Sequence, residues 1–231
     1  MLNTYKYTQE VLNFQSKEKP SFSLQYILAK PVDLQEGEVL PLVVFLHGAG
    51  ERGTDIEDIK RLGVPKYLDK GLPIRAIVLA PQLFSRDIIW ITVIHELMEL
   101  IRLIRDTVKA VDPQNVCLNG VSMGGYATWE LAMSYTSEFA AIAPVCGGGT
   151  PWRGWRLADL PIRTYHGDAD DTVPLSETLH MVEAVRQAGG KPECLLLNGV
   201  GHDIWDWVYE HTDILEWLIS HKKAPTQEEK E

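Results

Sequence analysis

Apolar positions along the chain fall into short runs, and their spacing changes from one run to the next. Within residues 4–30, Phe22, Leu24, Tyr26 and Leu28 alternate with Ser23, Gln25 and Ile27, an approximate period of two that predicts antiparallel strands. Pro31 to Gly37 predicts a turn. Pro41-Leu42-Val43-Val44-Phe45-Leu46 is apolar without a break, the pattern of a strand buried on both faces of a parallel sheet. Ala76 to Pro81 predicts a second such strand. Ile94, Leu97, Met98, Ile101, Ile104 and Val108 then recur at helical spacing, predicting an amphipathic helix of about 18 residues that stops at Asp112-Pro113. Strands are predicted at 115–118, 140–145, 162–165 and 193–197, and helices at 126–133, 175–188 and 206–220. Residues 54–73 are polar, with one short helix around Val64 to Leu68.

Strands alternating with helices predict an α/β protein whose central sheet is mainly parallel and flanked by helices. No repeat or linker divides the chain, so residues 1–221 are read as one domain and 222–231 as a charged, disordered tail. The largest insertion, 147–160, is short, which predicts little or no lid.

Composition narrows the function classes. At 231 residues, 45% hydrophobic and 23% charged, the chain can bury a sizeable core. A net charge of −10 argues against nucleic acid or an anionic membrane as partner. Cys117, Cys146 and Cys194 each lie in an apolar, strand-like run, where a reduced thiol serves as a small hydrophobe. Residues 1–6 lack the apolar core of a signal peptide, and no apolar run reaches the length of a membrane span. A cytoplasmic enzyme acting on a small molecule is the expectation.

The candidate chemistry centres on Gly120-Val121-Ser122-Met123-Gly124, between a predicted strand and a predicted helix. A serine at such a corner sits on a tight turn that points its hydroxyl out of the sheet. In open α/β sheets ligands bind beyond the carboxyl ends of the strands. The predicted strands put His47, Gly48 and Ala49 there, then Ser122, then Asp168, Asp170 and Asp171, and then His202. His47 to Gly53 is read as an oxyanion loop or as a flexible turn. Serine, carboxylate and histidine follow in the order of one serine-hydrolase fold out of three.

Four stretches carry a resemblance: His47-Gly48-Ala49-Gly50-Glu51-Arg52-Gly53, Gly120 to Tyr126, His166-Gly167-Asp168-Ala169-Asp170-Asp171-Thr172-Val173-Pro174, and Gly201-His202-Asp203. The chain resembles the α/β-hydrolase superfamily, and within it small carboxylesterases of the phospholipase/carboxylesterase and polyhydroxybutyrate-depolymerase-like groups. The resemblance implies an α/β-hydrolase fold and hydrolysis of a carboxylic ester, with a short-chain or aromatic acyl group and no cofactor or metal. It makes Ser122 the nucleophile, His202 the base and Asp170 the orienting carboxylate, with Asp168 and Asp171 as alternatives. It places the oxyanion hole on the N–H groups of Met123 and Ala49, with Gly50 next. Trp152, Trp155 and Trp205 are expected to face substrate or to pack; Gly50 is a further substrate contact. Glu51 and Arg52 are expected to contact substrate or to form an ion pair that pins the loop.

The remaining histidines are read as structural. His47 and His166 open their motifs and are expected to bond backbone, while His95, His180, His211 and His221 fall in helical stretches. His95-Glu96-Leu97-Met98-Glu99 has Glu99 where the second histidine of a zinc motif would stand. Thioester and small-peptide hydrolysis share the same acyl-enzyme path. Two other classes fit parts of the sequence: a Mg²⁺-dependent haloacid-dehalogenase-like phosphatase, which Asp168-Ala169-Asp170-Asp171-Thr172-Val173 resembles, and a binding protein without catalysis.

Overall fold

The structure is a computed structural model and describes residues 4–223. Its sheet is built from β1 (Tyr7–Gln15), β2 (Ser23–Pro31), β3 (Leu40–Leu46), β4 (Ile77–Gln82), β5 (Val111–Val121), β6 (Ala141–Val145), β7 (Arg163–Gly167) and β8 (Glu193–Leu197). The strands lie in the order β1-β2-β4-β3-β5-β6-β7-β8. The pairs β1–β2 and β2–β4 are antiparallel, with Glu10 opposite Leu28 and Leu28 opposite Leu79. From β4 to β8 every pair is parallel.

Among the described residues six α-helices flank the sheet: α1 (Gly63–Tyr67), α2 (Ile94–Thr107), α3 (Met123–Ser134), α4 (Leu175–Gln187), α5 (Trp205–His211) and α6 (Ile214–Ile219). Alternation along the strands divides the core in two. Leu42, Val44 and Leu46 of β3, with Leu118 and Ile142, pack against Leu97, Ile101, Trp129, Met133, Met181 and Val185 of α2, α3 and α4. Val43 and Phe45, with Cys117, Val121 and Tyr165, pack against Val64, Val208, Leu215 and Leu218 of α1, α5 and α6. Helices on both faces explain why the inner strands are apolar throughout. After β3 the chain moves to β4 on one side and then to β5 on the other. In open α/β sheets a crevice beyond such a switch in strand order, here at the carboxyl end of β3, is the usual place for a ligand.

Two boundaries differ from the sequence expectation. The amphipathic helix ends at Thr107, and Asp112 and Pro113 lie inside the long strand β5. The register shifts between Leu40↔Val111 and Leu42↔Val116, and this irregularity takes in Pro113, which has no N–H to give the ladder. The expected final helix is broken into α5 and α6 at Thr212, which is extended at φ −127°, ψ 166°. Its hydroxyl donates to Val208 O at 2.7 Å and accepts from Ile214 N at 3.3 Å, so one side chain serves both helix ends. The expected tail falls outside the described residues from residue 224 onward. Among the described residues no helix is long and apolar enough to cross a membrane.

Candidate active site

Strand β5 delivers Ser122 to its carboxyl end, and α3 begins at the next residue. Ser122 has φ 54° and ψ −116°, a left-handed backbone rarely seen outside glycine. Its N–H donates to Val145 O of β6 at 2.8 Å. The corner needs glycine on both sides. A Cβ on Gly120 would lie 2.3 Å from Gly124 O, and one on Gly124 only 1.9 Å from Leu46 O. Strand, elbow and helix therefore approach more closely than any side chain allows.

Strands β7 and β8 bring the other two groups. The turn after β7 holds Asp170, whose Oδ1 accepts from Thr172 N at 2.9 Å and Val173 N at 2.8 Å. The loop after β8 holds His202. Its Nε2 lies 2.9 Å from Ser122 Oγ and its Nδ1 lies 2.7 Å from Asp170 Oδ2. Carboxylate acceptance fixes the proton of His202 on Nδ1, leaving Nε2 to accept from the serine. Burial would raise the Asp170 carboxyl. The hydrogen bonds from His202, Val173 and Thr172 outweigh burial and hold it below the usual carboxylate range. The two neighbouring carboxylates are turned elsewhere: Asp168 Oδ1 accepts from Gly199 N at 2.6 Å, and Asp171 Oδ1 meets its neighbour Thr172 Oγ1 at 3.3 Å. Asp168 thereby ties the β7 turn to the loop that carries His202.

The loop after β3 runs beside the serine, where a Cβ on Gly48 would lie 3.8 Å from Ser122 Cβ. His47 anchors it. Leu83 N donates to its Nε2 at 3.1 Å, so Nδ1 carries the proton and donates to Gly48 O at 2.6 Å. Trp90 Nε1 donates to His47 O at 3.0 Å. Burial lowers the His47 imidazole to about 4. The pinning of this loop differs from the expected ion pair. Arg52 donates to carbonyl oxygens instead, to Ala49 O at 2.9 Å, Arg86 O at 2.5 Å and Ile88 O at 3.3 Å. Glu51 is buried, and burial raises its carboxyl against the hydrogen bonds from the N–H groups of Glu51 and Gly48.

Beside Ser122 opens a cavity of about 300 Å³ lined by Ile89, Trp90, Ile91, Met123 and Tyr126. The segment before α2 supplies three of these, and sequence reasoning did not single them out. Ile88-Ile89-Trp90-Ile91 was visible as an apolar run past the end of β4; its position at a strand's carboxyl end was the signal. Trp152 and Trp155 are not among the residues lining the cavity. They are 78% and 62% exposed on a 3₁₀ turn at Pro151–Leu157. Arg153 of this turn pairs with Glu130 at 2.8 Å, and a Cβ on its Gly154 would meet Ala184 of α4 at 2.7 Å. The turn is thus held against α3 and α4. Trp205 does reach the site, edge-on to the His202 ring with centroids 5.3 Å apart.

Among the described residues one group presents ligand atoms for a metal: Cys146, Asp170 and His202, within 4.8 Å of one another. The histidine nitrogens and the carboxylate are engaged with each other and with Ser122, and burial pushes the Cys146 thiol up to about 12. That thiol donates to His202 O at 3.4 Å. The group fits a hydrogen-bonded network better than a cation.

A profile of the phospholipase/carboxylesterase family matches residues 91–218, which take in α2, Ser122, Asp170 and His202. The chain belongs to the phospholipase/carboxylesterase family. Solved structures agree on the α/β-hydrolase fold of this family. A thermostable esterase is 30% identical with a TM-score of 0.80, over 93% of this chain and 63% of that one. A ferulic acid esterase is 16% identical with a TM-score of 0.71, over 94% and 99%. An acylaminoacyl peptidase of Pyrococcus horikoshii is 16% identical with a TM-score of 0.66, over 99% and 44%. The chain thus spans less than two thirds of the thermostable esterase. A search of curated proteins by sequence finds no match.

Proposed function

We propose that the protein is a serine hydrolase that cleaves carboxylic esters through an acyl-enzyme on Ser122. The observation that carries this reading is the continuous hydrogen-bonded line from Ser122 Oγ through His202 to Asp170, at 2.9 and 2.7 Å. A serine hydroxyl is a poor nucleophile until a base takes its proton. His202 Nε2 takes it as Oγ attacks the acyl carbonyl, and Asp170 stabilises the imidazolium that forms. The carbonyl oxygen gains the negative charge and is held by the N–H groups of Met123 and Ala49, each contributing about 3 kcal/mol to the transition state. Met123 opens α3, where the first N–H groups have no partner within the helix and the dipole is positive. The tetrahedral centre collapses, the C–O bond of the ester breaks, and His202 returns its proton to the leaving alkoxide. Water, deprotonated by His202, then releases the acid and restores Ser122.

The cavity beside Ser122 supports a short or aromatic acyl group, since its lining is apolar and its volume of about 300 Å³ suits a compact substituent. Thioesters and small amides remain substrates of the same path. The free thiols of Cys117, Cys146 and Cys194 support a reducing compartment, read as the cytoplasm.

A panel of p-nitrophenyl acyl esters, assayed on wild type and Ser122→Ala, tests the reading. Turnover is expected on acetyl to short acyl chains and is expected to fall on the order of 10⁴-fold or more in the variant. Equal turnover in the two proteins would falsify the mechanism.

A further inference from the structure

Asp170 Oδ2 has a second histidine beside it. His166, on β7, is fully buried, and its Nε2 lies 3.2 Å from Asp170 Oδ2 and 2.9 Å from Val173 O. Both partners accept, so Nε2 carries a hydrogen. Its Nδ1 lies 2.8 Å from Thr178 Oγ1, and that hydroxyl lies 2.6 Å from Gly147 O. A carbonyl accepts only, so the single hydrogen of the Thr178 hydroxyl is spent on Gly147. The hydroxyl is left to accept from His166, and Nδ1 must supply the hydrogen. Turning the hydroxyl toward Nδ1 would set two buried oxygens 2.6 Å apart with nothing between them, a loss of hydrogen bonding that burial makes costly.

We propose that His166 is protonated on both ring nitrogens and, as a buried imidazolium, is the positioning residue for Asp170. Charge balance points the same way. The Asp170 side chain is 0% exposed, and His202 must be neutral at rest to act as a base. A cation beside a buried carboxylate stabilises it further than hydrogen bonds alone, and His166 stands 3.2 Å from Oδ2 to supply one. Asp170 then has all its acceptor sites filled: backbone N–H groups on Oδ1, two imidazoles on Oδ2. The carboxylate is fixed toward His202, and it stays ionised while the proton moves between Ser122 and His202. The protonation of His166 follows from its own partners; the positioning role rests on the triad reading above.

Histidine-selective ¹⁵N labelling of the intact chain tests this, with the His166 ring assigned through its side-chain correlations. At neutral pH His166 is expected to show two ring N–H protons and two protonated nitrogens. A single protonated nitrogen on that ring overturns the proposal. His166→Gln, which retains a donor but no charge, is expected to lose about tenfold in kcat at unchanged KM, the loss typical of a group that orients a reacting one. Unchanged kcat in a folded His166→Gln variant overturns the positioning role. Failure of wild type to hydrolyse any ester removes the triad reading instead, and leaves the ring protonation readable on the same sample.

Discussion

Ser122 occupies a left-handed backbone that costs a residue bearing a Cβ about 1–3 kcal/mol. The cost is stored where the hydroxyl has to stand clear of the sheet. Glycine adopts that backbone without strain, so Ser122→Gly is expected to be inactive yet more stable, by about 1 kcal/mol, in urea unfolding; a loss of stability would contradict the strain. His47 makes a pH prediction. Its imidazole is lowered to about 4 in the fold from 6.5 in the unfolded chain. Below the unfolded value only the unfolded chain takes up the proton, so the His47 contribution is complete above pH 6.5 and is lost as pH falls toward 4. The loss is roughly 3 kcal/mol. Urea midpoints across this window should slope less in His47→Gln than in wild type; parallel slopes would contradict the assignment.

Elements were legible wherever one physical signal dominated. The inner strands β3, β4 and β6 are apolar without a break because helices cover both faces, and their sequences say so directly. The Gly-x-Ser-x-Gly corner was legible because the close approach of β5 and α3 tolerates no Cβ. Gly124→Ala is therefore expected to cost about 3 kcal/mol or more, read as a fall in thermal midpoint, with a shift under a degree contradicting the packing. Pro113 misled because a proline usually ends an element, whereas an irregular register lets β5 carry it. The break at Thr212 was hidden because one hydroxyl, not a glycine or proline, makes it. The cavity lining was hidden for another reason: Ile89 and Ile91 are 42% and 41% exposed at the start of a single 3₁₀ turn, Trp90–Val93, too short for a period to mark them. Ile91→Ala should raise kcat/KM for a longer acyl chain relative to acetyl by about tenfold; an unchanged ratio would place the acyl group elsewhere.

At the scale of the whole molecule, the site is assembled from the carboxyl ends of β3, β5, β7 and β8, so it exists only when the sheet is complete. The C-terminal helix is tied into the same sheet: Asn115 Nδ2 donates to Ile219 O at 2.8 Å and Cys117 Sγ to Leu218 O at 3.2 Å. Activity, far-ultraviolet ellipticity and tryptophan emission are thus expected to be lost together in urea, as one transition; separated transitions would mean that the chain is not a single cooperative unit. The order of Ser, Asp and His along the chain left three carboxylates open and only the motif resemblance pointed to Asp170; nothing along the chain conveyed how the three are turned, or that a second histidine stands behind Asp170. Those depend on turns whose hydrogen bonds close only in the folded molecule. The most direct measurement of the central claim is intact-mass and peptide mapping after reaction with a fluorophosphonate. One adduct on Ser122, lost in His202→Ala, is the predicted result; a folded wild-type protein that takes up no label, or takes it up on another residue, would contradict the account.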